Sequence, residues 1–209
     1  MTHRLCSARV GALAAAFAVG FASLAAGQTA GPPMRVRGEI VKIESGVLHA
    51  RDGSGQELAI KLAPNYGVTE LRKAELKEIS AGSYIGVTAM PLSDGTLRAI
   101  AIHIFPAAMK GTGEGHHRWD HSPESTMTNA TVDGHVTAGS GSTIKVKYKD
   151  GEKTVMVVPE TAIVAMGPGT PDMLRPGAKI MIFSATKAAD GTLTTQHVVV
   201  GKDGLTPPM

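Results

Sequence analysis

The chain has 209 residues, 21 of them basic and 18 acidic, with one cysteine, one tryptophan and only 4% aromatic residues. Net charge is +3, and it falls to +1 once Arg4 and Arg9 of the leader described next are set aside, which leaves no electrostatic case for nucleic acid. So few aromatic side chains also argue against the stacking surface that single-stranded nucleic acid needs.

The first 27 residues read as a signal peptide. Arg4 and Arg9 precede an apolar run over 10–26, and the small residues Ala25, Ala26 and Gly27 close it. Basic, apolar, then small is the layout of a secretory leader. The sole cysteine, Cys6, lies inside that leader, so the mature chain carries no thiol and no disulfide. No other stretch reaches the length of a membrane helix. These features predict a periplasmic or secreted protein with no transmembrane segment after cleavage. Residues 28–35 form a Gly/Pro stub, expected to be disordered.

The next feature is a repetition. Val36-Arg37-Gly38-Glu39-Ile40 returns as Val132-Asp133-Gly134-His135-Val136, and Asp94-Gly95-Thr96-Leu97 returns as Asp190-Gly191-Thr192-Leu193, both at an offset of 96 residues. A period this long indicates duplication of a domain-sized unit. In the first unit, 36–43 alternates as a strand. Val47–Ala50 is a short strand, Asp52-Gly53-Ser54-Gly55 a turn, and 56–62 a strand with Leu58, Ile60 and Leu62 on one face. The segment 69–79 spaces Leu71, Leu76 and Ile79 for a short helical turn. Strands follow at 84–89 and 97–105 around a turn at Asp94-Gly95. The second unit runs through strands at 131–136, 143–148 and 153–158, an irregular middle over 159–173, and strands at 178–185 and 193–200. Met90, Met156 and Met181 fall on these strands as core fillers.

Five short strands around a small core is the plan of an OB-type barrel. The predicted fold is all-β: a tandem repeat of two five- to six-stranded OB-like barrels joined by a Gly/His-rich linker. The expected boundaries are 36–106 for the first barrel, 107–128 for the linker, 129–200 for the second barrel and 201–209 for a flexible tail.

The linker holds the candidate chemistry. Gly111-Thr112-Gly113-Glu114-Gly115-His116-His117-Arg118-Trp119-Asp120-His121 places three of the eight histidines within six positions. Imidazoles suit copper and zinc, and thioethers suit Cu(I). On a helical turn His117 and His121 would share a face, with His116 beside them, Met109 and Met127 in support, and Glu114 or Asp120 as a carboxylate neighbour. The competing reading makes the linker structural, with Trp119 docking between the barrels. The glycine run lacks the Gly-Lys-Ser/Thr of a phosphate loop and opens no helix. His49, His103, His135 and His197 are single histidines on strands, and Asp94 and Asp190 are turn formers. No nucleophile–base pair or carboxylate dyad emerges by spacing, and 139–142 lacks the strand-to-helix elbow of a hydrolase serine.

The phrase Val36–Ile40, the following hairpin, Ile79–Val87 and Asp94-Gly95-Thr96-Leu97 resemble a family of bacterial secreted proteins built from small β-barrel domains of unknown function. The linker from Phe105 to His116, and Ser125–Ala130, resemble its alphaproteobacterial members. Some such sequences carry the label of a metal-transporter permease, which this chain does not fit: a permease needs several apolar spans and only the leader is apolar enough. The resemblance implies the barrel fold and no catalytic residues. The functional expectation is a non-catalytic exported binding or interaction protein of the cell envelope, its partner an envelope protein or a small ligand. The alternative is a periplasmic copper- or zinc-binding protein using the His-rich linker.

Overall fold

A computed structural model describes residues 33–138 and 141–208. The expected signal peptide, Cys6 and most of the stub lie outside the described residues. Of the stub, Met34 and Arg35 belong to the first strand. The described chain forms twelve strands: β1 Met34–Glu44, β2 Val47–Asp52, β3 Glu57–Lys73, β4 Tyr84–Pro91, β5 Leu97–Ile104, β6 Gly115–Arg118, β7 Thr126–Ala138, β8 Gly141–Tyr148, β9 Gly151–Val157, β10 Ala162–Pro168, β11 Lys179–Lys187 and β12 Leu193–Gly201. Its helices are single 3-10 turns, at Leu76–Glu78, Ala107–Met109, Pro171–Met173 and Lys202–Gly204. The chain is all-β, as its alternating pattern and turn residues require.

The strands close into rings. One runs β12–β11–β1–β2–β3 and is sealed by a parallel β3–β12 pairing. The other runs β5–β4–β7–β8–β9 and is sealed by β5–β9. Each has its own apolar core. Ile40, Leu48, Ile60, Ile182 and Val198 fill the first. Ile85, Val87, Ile102, Ile144 and Val155 fill the second.

This connectivity differs from the expected one barrel per repeat. The first ring takes β1–β3 from the first repeat and β11–β12 from the second. The second ring takes β7–β9 from the second repeat and β4–β5 from the first. The cause is the length of β3. At about 3.3 Å per residue its 17 residues span roughly 55 Å, more than one small barrel wall. Its first half pairs with β2 and its second half with β10. The chain is therefore carried out of the first ring and delivers β4 and β5 to the second. The expected helical turn over 69–79 shrinks to Leu76–Glu78 for the same reason. Residues 69–71 are held by ladders on both sides, to β12 and β10, and tertiary pairing overrides local propensity.

The strand β10 falls within the stretch expected to be irregular. It runs antiparallel to β3, with Leu71 opposite Met166, Thr69 opposite Pro168 and Lys73 opposite Val164. Outside this pair, β12 lies parallel to β3 and β5 parallel to β10. The order β12–β3–β10–β5 reads the same when the repeats are exchanged, so a pseudo-two-fold axis passes between Leu71 and Met166. Such an interface is self-complementary. On this shared face Leu71, Val164, Met181 and Val199 are buried together, with Met166, Phe183 and Leu205 packed against them. They make a third core, in the seam between the rings.

The repeat is also offset differently from its sequence echo. Leu97 and Leu193 open equivalent strands, 96 residues apart. In β1 a bulge follows Ile40, opposite Ala50, and in β7 one follows Val132, opposite Val146. Residue 132 therefore occupies the place of 40, an offset of 92, and the β7–β8 hairpin holds four more residues than β1–β2. The five-residue echo at 36–40 and 132–136 is out of register by that insertion.

Gly38 is required by close approach. A Cβ at this position would clash with the Arg51 carbonyl oxygen on β2. Gly38→Ala is expected to cost about 1–3 kcal/mol, read as a lower urea midpoint at unchanged slope.

Residues 201–208, expected to be a flexible tail, pack on the protein. Gly201 ends β12, Leu205 joins the seam and Pro207 is buried.

Candidate functional site

The linker does not form the helical turn that would bring His117 and His121 together. Gly115–Arg118 is a strand, β6, paired antiparallel with the start of β7. Side chains alternate along a strand, so His116 and His117 point to opposite faces. His116 Nδ1 meets Thr128 Oγ1 at 2.8 Å, and its ring stacks against Tyr148 with centroids 6.5 Å apart. Burial lowers its pKa, with smaller contributions from Lys153 and His117. His117 instead packs edge-on against Trp119, at 5.9 Å. Met127 is buried opposite His117 in the β6–β7 ladder, and Met109 stands in the 3-10 turn after β5. Glu114 accepts a bond from the Lys149 backbone N–H, so it is tied to the β8–β9 turn. Asp120 pairs with arginines. Of His116, His117, His121, Met109 and Met127, the structure brings His117 and Met127 together as cross-strand neighbours, while His116 faces the other side of β6 and His121 lies at a groove on the outer face of the first ring. Among the described residues no three His, Cys, Asp or Glu side chains converge.

The glycine run before β6 has a structural account. Gly111, Gly113 and Gly115 all adopt positive φ, which glycine tolerates at little cost. Tyr84 Oη donates to the Thr112 carbonyl at 3.1 Å, and Asn129 Nδ2 donates to the carbonyls of Thr112 and Gly113. The amides of Thr112 and Glu114 donate to Met109 and Gly111. Those two amides are spent inside the loop.

Trp119 crosses between the rings. Its backbone N–H donates to the Ser125 carbonyl, within a tight turn that closes back onto β7 of the second ring. Its indole reaches the first ring. The Arg35 guanidinium lies 4.0 Å over the indole, and the Phe183 ring is 6.4 Å away. Asp120, next in sequence, receives two bonds from Arg37, at 2.7 and 3.2 Å, and sits 3.5 Å from Arg35. The Arg37 hydrogen bond, chiefly, holds the Asp120 carboxyl below its ordinary range.

Beside this contact is a groove of about 740 Å³ on the outer face of the first ring. Its lining includes Arg37, Glu39, Arg51, Asp120, His121 and Lys179. The sheet register explains the floor: Glu39 on β1 lies between Arg51 on β2 and Lys179 on β11. Lys179 Nζ donates to Glu39, and that hydrogen bond is the main cause of a lowered Glu39 pKa. Thr206, Pro207 and Pro208 complete the lining. The result is a surface of alternating charge with hydrogen-bonding capacity.

Of the residues singled out by sequence, the groove contains His121, with its neighbour Asp120. Glu39, Arg51 and Lys179 carried no signal, because they come from three strands and only sheet register joins them. No family model, no curated protein and no solved structure matches this chain.

Proposed function

We propose that the protein is a non-catalytic, exported binding protein of the cell envelope, whose partner seats in the groove over β1. The supporting observation is the groove itself, built where the linker meets the first ring. It draws on β1, β2, β11, Asp120-His121 and the C-terminal segment, so its shape depends on both repeats and on the linker. Its charges are mixed, which suits orientation of a polar partner more than bulk attraction. The leader-like N-terminus supports export. The closed five-strand rings fit OB-type barrels, a scaffold that commonly binds through its outer face and loops.

The experiment is affinity capture from envelope extract at physiological salt, with the wild-type chain and an Arg51→Glu/Lys179→Glu variant. Arg51 is exposed and Lys179 half-buried, and reversing both charges beside Glu39 sets like charges opposite one another, so the urea midpoint of the variant is measured alongside to separate lost capture from lost stability. The expected result is a band held by the wild type and lost by the variant. Equal retention by both, or none by either, overturns the assignment of the groove.

A further inference from the structure

The seam between the rings contains polar atoms that the fold leaves without hydrogen bonds. Thr88 Oγ1, both ring nitrogens of His103, Trp119 Nε1 and Asn129 Oδ1 are buried with no partner among the described residues. Unpaired buried polar groups are few in folded proteins, and each asks for an explanation. His103 lies beside Val164 on the seam face, Gly86 and Asn129 continue its row toward the glycine loop of the linker, and Trp119 stands by Phe183 at the edge of the seam. In the second ring Val87, Ile102 and Ala130 point into its core. Alternation along β4, β5 and β7 turns Gly86, Thr88, His103 and Asn129 onto the outer face of that ring, where His103 meets the seam through Val164 and Asn129 meets the linker loop. His103 and Asn129 flank Gly86 in the ladder. A Cβ on Gly86 would lie 2.6 Å from Asn129 Oδ1, so that oxygen leans over the glycine.

The pseudo-two-fold axis supplies an internal comparison. His103 lies beside Val164 of β10, and its equivalent in the first ring, Val199, lies beside Thr69 of β3. Valine satisfies this position in one ring. The other holds a fully buried imidazole in the same kind of seat.

We propose that His103 is a proton-operated lock on the seam: neutral, it lets the rings close on each other, and protonated, it drives the seam open around Trp119. Burial pushes its pKa from 6.5 down to about 4. The Gly86 backbone offsets this in part, without meeting either nitrogen in hydrogen-bond geometry. The sign follows from linkage. A histidine whose pKa is depressed in the closed state takes its proton first in the open or unfolded state. The closed state is therefore favoured above pH 6.5 and loses ground as pH falls from 6.5 toward 4.

The charged and titratable neighbours do not rescue the imidazolium. Along its row β4 offers Gly86 and β10 offers Val164, and beyond Val164 stands the exposed Lys73, a like charge. From β11 and β12 the seam receives Met181 and Val199. His197, also on β12, is bonded to Thr69, and burial lowers its pKa as well. At the Trp119 end Arg35 and Arg37 hold Asp120 between them.

Trp119 is the only tryptophan of the chain and reports on the seam directly. Between pH 7 and pH 4 its emission in the wild type should shift to the red, reversibly. His103→Val should flatten that shift, while His197 still titrates. His117→Gln should keep it: His117 touches the indole and shares the sheet face of Met127 and Thr88, so this variant separates its own protonation from that of His103. A full shift in His103→Val, or its loss in His117→Gln, overturns the proposal. Hydrogen exchange of the wild type at pH 4.5, corrected for intrinsic rates, gives a second test should the valine variant misfold. Faster exchange in β4, β5 and 119–125 than in β2 and β8 supports the lock, and uniform or unchanged exchange refutes it.

Discussion

A chain cut between Lys110 and Gly111 is expected to remain one particle. A protease site inserted there lies in an exposed loop, where insertion disturbs little. After cleavage the two fragments should co-elute at the volume of the intact protein and separate only in denaturant. The reason is the exchange of strands. Six of the thirteen strand pairings join the halves: β1–β11, β3–β12, β3–β10, β5–β10, β4–β7 and β5–β9. Neither half can close a ring alone. If each repeat instead formed its own barrel, the fragments would drift apart or hold only weakly. Fragments that elute separately at micromolar concentration would contradict the connectivity described above.

Leu71→Ala should be among the most damaging single truncations. Leu71 has no exposure and stands at the pseudo-two-fold axis, opposite Met166. Truncating a buried leucine costs about 2–5 kcal/mol, the spread depending on how far the site can collapse. Collapse is restricted here, because β3 is held on both sides by ladders. A loss of about 3 kcal/mol lowers the melting temperature of a domain this size by roughly 6–12 °C. The shape of the transition matters as much as its midpoint. With six ladders shared, backbone circular dichroism and Trp119 fluorescence should melt in one coincident step, in wild type and variant alike. Two separated steps, or a shift under about 1 kcal/mol, would show that the axis does not couple the rings.

The local elements were legible because their causes are local. The alternation of Leu58, Ile60 and Leu62, the Asp-Gly turns, and the apolar run of β5 announce strands and hairpins directly. The duplication was visible for the same reason. The pairing between elements was not. Which ring β4 joins depends on where β3 points when it ends, and nothing in Ala74–Gly82 encodes that direction. β10 was hidden by Pro159, Gly167, Pro168 and Gly169, which read as loop punctuation although Pro168 sits at the end of a ladder. The histidine cluster shows the other kind of gap. Spacing of four suggested one face of a helix, but Gly115–Arg118 is claimed by β7 as a strand, and period two replaces period three-and-a-half. His103 looked ordinary because its peculiarity lies in what surrounds it.

The symmetry through Leu71 and Met166 also bears on how such a chain arose. Two copies of a single repeat, meeting β3 against β3 and trading their last two strands, would build the same pair of rings without a covalent bridge. The bridge from Phe105 to Ser125 is the stretch without a counterpart in the other repeat, and it carries the one tryptophan, wedged where the two rings meet.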